Sequence, residues 1–295
     1  MKIKDILKRK SPTISFEIFP PNARMSLGQV MAAAARMAVQ EPDFMSVTYG
    51  AAGGTKANTV KIASGLQEYL GIPSIAHLTC VATDKEQVKA IALEMREAGI
   101  ENVLALRGDV PEGMDYPSPD RYAHASELVT QIRSLGDFCI GAACYPEGHP
   151  ESPDWETDLS YLKEKVDCGC DFLTTQMFFD NDLFREYLYR LRGKGIQAPV
   201  LAGIMPLTSA SQLRRIDKLS GAHLPERFTR LVDKFGDQPE AMMQAGIAYA
   251  AEQIIDLIAS GVDGIHIYTM NKPETAARLM EILRGIVNPP EKITR

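Results

Sequence analysis

The chain has 295 residues, 45% hydrophobic and 24% charged, with 32 basic against 38 acidic side chains and a formal net charge of −6. That length suits one large barrel or two smaller domains, and the ordinary composition excludes disordered and fibrous classes. The acidic balance, with no basic block longer than Lys8–Lys10, argues against a nucleic-acid partner; the absence of any apolar run of ~20 residues or of a signal-peptide core points to a cytoplasmic protein without membrane insertion.

Short β-like runs alternate with amphipathic segments along the chain. The strand candidates are Thr13–Phe19, Phe44–Gly50, Ser74–Cys80, Asn102–Gly108, Phe138–Tyr145, Phe172–Phe178, Pro199–Met205 and Gly264–Met270. Between them lie helical patterns: from Asp84, the residues Val88, Ile91, Ala92 and Met95 share one face, with Gly99 as a stop; from Thr157, Leu159, Leu162 and Val166 do the same. Eight βα units in a chain of this size fit an α/β fold, a single TIM (β/α)8 barrel spanning residues 1–295, better than a doubly wound sheet. The interval Leu207–Asp263 is about twice the others, so extra helices are expected between strands 7 and 8.

In such a barrel the chemistry sits at the carboxyl ends of the strands. Strand 1 reads ISFEIFPP, and its period of two puts Ile14, Phe16 and Ile18 on one face and Ser15, Glu17 and Phe19 on the other. The apolar face should meet the helices, which aims Glu17 into the barrel near its mouth. A carboxylate there either pairs with Lys or Arg or serves as a general acid, because desolvation helps a carboxyl group keep its proton. At LALRGD, Arg107 and Asp109 are expected on one face of the strand end, either as a local charge pair or as part of a site. His77 lies mid-strand and His149 in a Pro/Gly-rich loop, positions that suit core packing and turn formation, and neither has metal-ligand spacing. GAAGGT at Gly50–Thr55 looks like a phosphate cradle but lacks Walker spacing, and no G-x-G-x-x-G follows a strand. The five cysteines, odd in number and mostly in apolar runs, read as reduced thiols.

Taken together, SFEIFPP, SVTYGAAGGT, AHLTC, LALRGD, YPEGHPE, TQMFFD, AGIMP and YTMNK stand in register at successive strand ends. In that order they resemble the bacterial methylenetetrahydrofolate reductases, flavoproteins with a β8α8 barrel, over about Ser11–Leu283. The resemblance implies a catalytic barrel without the regulatory domain of the eukaryotic enzymes. It implies FAD, bound without a Rossmann fingerprint at Thr48, His77, Leu106, Arg107, Gly108, Asp109, Ala143, Tyr145, His149, Asp158 and Lys165. A further flavin contact, a Tyr in relatives, falls on His124 here unless Tyr122 takes its place.

Folate and nicotinamide contacts correspond to Glu17, Asp109, Gln176, Gln212, Tyr268 and Lys272, the last standing where relatives often carry Arg. A Phe that packs against the ligand in some relatives falls near Ile216. The implied reaction is reduction of 5,10-methylenetetrahydrofolate to 5-methyltetrahydrofolate with NAD(P)H as donor, a step in one-carbon metabolism and methionine biosynthesis. Glu17 is the implied proton donor and Asp109 the stabiliser of cationic charge. A homo-oligomer is expected, and a partner protein could deliver the electrons instead. A flavin-free TIM-barrel lyase or aldolase using Glu17 is the rival enzyme reading.

Overall fold

A computed structural model of the chain describes residues 1–49, 56–213, 216 and 222–287. The GAAGGT segment therefore lies outside the described residues. Eight parallel strands, β1 (Thr13–Ile18), β2 (Phe44–Val47), β3 (Ser74–Thr79), β4 (Asn102–Leu106), β5 (Cys139–Cys144), β6 (Phe172–Thr175), β7 (Val200–Ile204) and β8 (Gly264–Tyr268), close in sequential order. The ring shuts where β1 pairs with β8, Ser15 opposite His266 and Glu17 opposite Tyr268. This is the expected TIM barrel.

Its wall is a ring of helices: α2 (Leu27–Ala38), α3 (Lys56–Leu70), α4 (Lys85–Glu97), α5 (Ala125–Leu135), α6 (Trp155–Asp167), α7 (Asn181–Gly193), α9 (Pro239–Ala259) and α10 (Pro273–Val287). Local chemistry sets their ends. Asp84 caps α4 by accepting from the Gln87 amide at 2.7 Å, and Gly99 at φ +72° lets the chain leave it, a left-handed conformation that costs glycine little. Ser26 and Gln29 cap α2 reciprocally. The expected extra helices between β7 and β8 are α8 (Glu226–Phe235) and the long α9. No helix among the described residues is long and apolar enough to cross a membrane.

Alternation along the strands divides the core. Ile14, Phe16 and Ile18 join Val30, Ala34 and Leu66 in the layer between sheet and helices, as the pattern of β1 requires. Inside the barrel, Phe44, Ile75, Leu104, Cys139, Phe172 and Leu201 form an apolar bottom layer. One element was not foreseen from the sequence. MKIKDILKRK, with acid and base mixed, forms α1 (Ile3–Arg9), which presses Ile3 and Ile6 onto that layer and closes the bottom of the barrel. Ion pairs pin it there: Lys4 bonds Asp171, itself held by Arg133, and the C-cap residue Lys10 bonds Asp43.

Candidate active site

Above the apolar bottom layer the interior turns polar. Thr13 and Ser15 of β1, Ser46 of β2, His77 of β3 and His266 of β8 are all buried. At the carboxyl ends this interior opens into a cavity of about 980 Å³, whose lining includes Glu17, Asp109, Gln176 and Tyr268. Ligand clefts in proteins commonly measure ~300–1,000 Å³, so this one takes a large or two-part ligand.

Glu17 is 5% exposed. No Lys or Arg pairs with it among the described residues; two imidazoles flank it instead. Its Oε2 lies 3.7 Å from Nε2 of His77 and 3.7 Å from Nε2 of His266. Burial lowers the pKa of His77 to about 4, so this ring is neutral at ordinary pH. His266 is held at both nitrogens, Nδ1 to Ser15 Oγ at 2.8 Å and Nε2 to Ser46 Oγ at 3.2 Å. The backbone at Glu17 is equally fixed. Its carbonyl accepts from Thr269 Oγ1 at 2.6 Å, and, two residues on, Phe19 pairs both its N–H and its C=O with the Asn271 side-chain amide at 2.8 and 2.9 Å. That amide continues the β1–β8 ladder for one residue, after which Pro20 cannot donate and the chain turns away.

Tyr268 crosses the cavity floor and donates from its hydroxyl to the carbonyl of Thr175 on β6 at 2.6 Å. It passes over Gly203 of β7, where a Cβ would stand 2.4 Å from that same carbonyl and 2.8 Å from the Tyr268 ring and hydroxyl. Its burial pushes the phenol pKa well above the usual value.

The strand-end loops build the cavity wall. β4 stops at Leu106, so Arg107 and Asp109 do not share a strand face as expected. Instead Gly108, at φ +86°, turns the backbone where a Cβ would stand only 3.1 Å from Thr79 and 3.2 Å from Val81, and the Arg107 and Asp109 side chains still line the cavity. Arg107 grips Glu151 with two bonds of 2.5 and 2.6 Å and lies over the Tyr116 ring. That bidentate pair raises the arginine pKa and lowers that of Glu151. The Glu151 amide donates to His149 Nδ1 at 3.1 Å, and His149 meets Tyr145 edge-on at 4.7 Å. Burial, with Asp109 adding to it, pushes the Tyr145 phenol to about 12. Lys165 of α6 donates to the Ala143 carbonyl at 2.6 Å, and its burial lowers its pKa.

Thr48, His77, Leu106, Arg107, Gly108, Asp109, His124, Ala143, Tyr145, His149, Asp158 and Lys165, the residues the sequence nominates for a cofactor, all line this one cavity. So do Glu17, Gln176 and Tyr268. At the divergent position it is His124 that reaches the cavity; Tyr122 turns into the wall and bonds Gln131. Gln212 and Lys272 are not among the lining residues. They meet each other through Thr208, which donates to Gln212 Oε1 at 2.9 Å and accepts from Lys272 Nζ at 3.3 Å. Ile216 packs with Phe179, Phe228 and Met242 in a separate apolar cluster.

Sequence reasoning passed over Glu151, Tyr161 and His266. The last was readable, since it alternates with Tyr268 on β8. Tyr161 was readable too, as it shares an i, i+3, i+4, i+7 face with Asp158, Leu162 and Lys165.

A family model described as methylenetetrahydrofolate reductase matches residues 2–284. The 5,10-methylenetetrahydrofolate reductase of Pectobacterium carotovorum subsp. carotovorum is 33% identical over 270 residues, covering 92% of this chain and 89% of that protein; the Escherichia coli protein of the same name is 32% identical at 92% and 90% coverage. Methylenetetrahydrofolate reductase (NADH) 1 of Arabidopsis thaliana is 34% identical over all of this chain but only 52% of its own length. The chain thus spans about half the length of the plant relatives it matches and about nine-tenths of the bacterial ones. Among solved structures, an uncharacterised Clostridium thermocellum protein that binds two copies of 5-methyl-5,6,7,8-tetrahydrofolic acid superposes with a TM-score of 0.65 at 14% identity, covering 97% of this chain and all of that one. At that identity the likeness bears on fold alone.

Proposed function

Because the chain belongs to the methylenetetrahydrofolate reductase family, a family of oxidoreductases, we propose that it reduces the methylene bridge of 5,10-methylenetetrahydrofolate to a methyl group, using FAD that NADH or NADPH reduces. The observation that carries the reading is Glu17: a buried carboxyl group with no cationic partner among the described residues, on the floor of a large cavity at the strand ends. A residue kept only for structure would be paired.

The residues present suit a flavin dinucleotide. The cavity is large, one wall is the turned backbone of 106–109, and Tyr145, His149 and Lys165 supply aromatic and hydrogen-bonding groups along the adjoining wall. Thr48, His77, Leu106, Arg107, Gly108, Asp109, His124, Ala143, Tyr145, His149, Asp158 and Lys165 would hold it. When bound, FAD supplies the hydride. The chain does the rest. Opening the five-membered ring of the folate breaks a carbon–nitrogen bond, which requires a proton on the departing nitrogen and leaves a cationic iminium. Glu17 gives that proton, and the carboxylate of Asp109 stabilises the developing cation. Gln176 offers donor and acceptor together to the pterin edge. Tyr268, its hydroxyl already engaged by Thr175, presents its ring. Gln212 and Lys272, outside the main cavity, would meet the outer part of the substrate.

Anaerobic mixing with NADH, NADPH or methylenetetrahydrofolate, followed by flavin absorbance, tests this. Wild type should be reduced by a pyridine nucleotide and reoxidised by the folate. Glu17→Gln should lose the folate half and retain the pyridine nucleotide half. A colourless protein without flavin affinity, or equal loss of both halves in the variant, overturns the reading.

A further inference from the structure

A general acid that gives up its proton must get it back. Glu17 is 5% exposed, and the polar groups nearest its carboxyl group are two buried imidazoles, His77 and His266, exposed 5% and 2%. Nε2 of each lies 3.7 Å from the same oxygen, Oε2. That is too long for a direct hydrogen bond, yet Nε2 of His77 is fully buried and has no hydrogen-bond partner among the described residues. A buried, unpartnered ring nitrogen is costly unless it bonds a ligand or ordered water. Nε2 of His266 is taken by Ser46 Oγ, whereas Nε2 of His77 and Oε2 of Glu17, 3.7 Å apart, make a seat for one water molecule, which needs two to four such partners.

We propose that a water molecule held between His77 Nε2 and Glu17 Oε2 returns the proton to Glu17 after each turnover, and that the two histidines are the positioning residues of this relay, His77 by holding the water and His266 by fixing the flank of Glu17. It rests on the reading of Glu17 as the acid. When the Glu17 O–H bond breaks and an N–H bond forms on the substrate, the carboxylate left behind takes a hydrogen from this water. The water is restored by a proton from solvent in the cavity, so each turnover takes up one solvent proton and leaves no charge behind. The ionisable groups facing Glu17 are His77 from β3 and His266 and Tyr268 from β8; β2 contributes the uncharged Ser46. His77 stays neutral at working pH because it is buried. It therefore orients the water rather than storing the proton itself. Ser15 and Ser46 hold both ring nitrogens of His266 beside Glu17, and the Tyr268 ring packs edge-on against it at 5.4 Å.

The test compares chemically reduced wild type, Glu17→Gln, His77→Gln, His266→Gln and the milder Ser46→Ala, each checked for flavin content and circular dichroism. Folate-dependent reoxidation is followed across pH and in H2O/D2O mixtures. In wild type the proton inventory should be curved, since more than one hydrogen is in flight. The histidine variants should slow the step roughly 10-fold or more, make the inventory linear and displace the pH limb by about one unit, the size of one charge-assisted hydrogen bond. Ser46→Ala should displace the limb in the same sense by less, and it carries the test if a histidine variant fails to fold. A crystal structure that orders water should show one molecule within hydrogen-bonding distance of His77 Nε2 and Glu17 Oε2. Loss of the folate step in Glu17→Gln, with wild-type rate, pH limb and inventory in the other variants, overturns the relay and leaves the acid standing. A Glu17→Gln enzyme that still turns folate over removes the acid, and the relay with it.

Discussion

Gly203→Ala probes how the floor of the site is built. A Cβ there would stand 2.4 Å from the Thr175 carbonyl oxygen and 2.8 Å from both Cε2 and the hydroxyl of Tyr268. Non-bonded heavy atoms prefer ~3.5 Å or more, so the Tyr268 ring must retreat by at least ~0.7 Å. Retreat breaks its 2.6 Å bond to Thr175. Overpacking a closed core costs ~1–3 kcal/mol and a lost buried hydrogen bond ~1 kcal/mol, so a total of ~2–4 kcal/mol is expected. Urea denaturation, monitored by circular dichroism, measures it as a fall in midpoint at constant slope. Tyr268→Phe removes one of the clashing atoms along with the bond, so the double variant should be less destabilised than the sum of the singles by ~1 kcal/mol. A cost below ~0.5 kcal/mol for Gly203→Ala, or strict additivity with Tyr268→Phe, would show that the glycine is not what lets the tyrosine cross.

Stability should follow pH through His77. Its folded value of about 4 lies below the ordinary 6.5, so the unfolded chain binds a proton that the fold refuses; stability is full above ~6.5 and falls by up to ~3 kcal/mol as pH drops to ~4. His77→Gln should flatten that slope in denaturation curves taken across the window, and an unchanged slope refutes it. Glu151, held below its usual range by Arg107, contributes stability above its unfolded value of 4.5 that is lost as pH falls further. Its side chain is 60% exposed, so screening limits the effect to ~0.5 kcal/mol, and in Glu151→Gln the acid-limb loss should disappear, as it should for wild type in high salt. Asp109→Asn should bind flavin yet slow folate-dependent reoxidation ~100-fold; a wild-type rate in stopped-flow absorbance would take Asp109 out of the chemistry.

The barrel was legible because its strands follow a strict period. In ISFEIF one face is wholly apolar and the other carries Glu17, so alternation alone aims that carboxyl group inward. The rim was less legible because loop geometry has no period. Continuing the β4 alternation through Arg107 to Asp109 failed where Gly108 reverses φ, and nothing local in YPEGHPE announces that Glu151 reaches across to Arg107. Helix α1 escaped notice for a related reason. Only Ile3 and Ile6 of its seven residues are buried, too short a pattern to register as a stripe, and its partner, the bottom layer of the barrel, exists only after closure.

The same division orders the site itself. Residues on strands, such as Glu17, His77, His266 and Tyr268, are fixed by the ladder and by bonds reaching across it: Ser15 to His266, Tyr268 to Thr175, Asn271 to Phe19. They make a floor whose geometry is set by folding. Residues of the rim, Arg107, Asp109, His149 and Glu151, are set by contacts between neighbouring loops, the Arg107–Glu151 pair joining the segment after β4 to that after β5. A floor held by the barrel suits proton transfer, which tolerates little displacement. A rim held by a half-exposed ion pair suits a large ligand that must enter and leave. Substitutions in the floor should therefore alter the rate of the folate step, as should those of Asp109 where the rim meets it, and substitutions in the Arg107–Glu151 pair the binding of whatever fills the cavity.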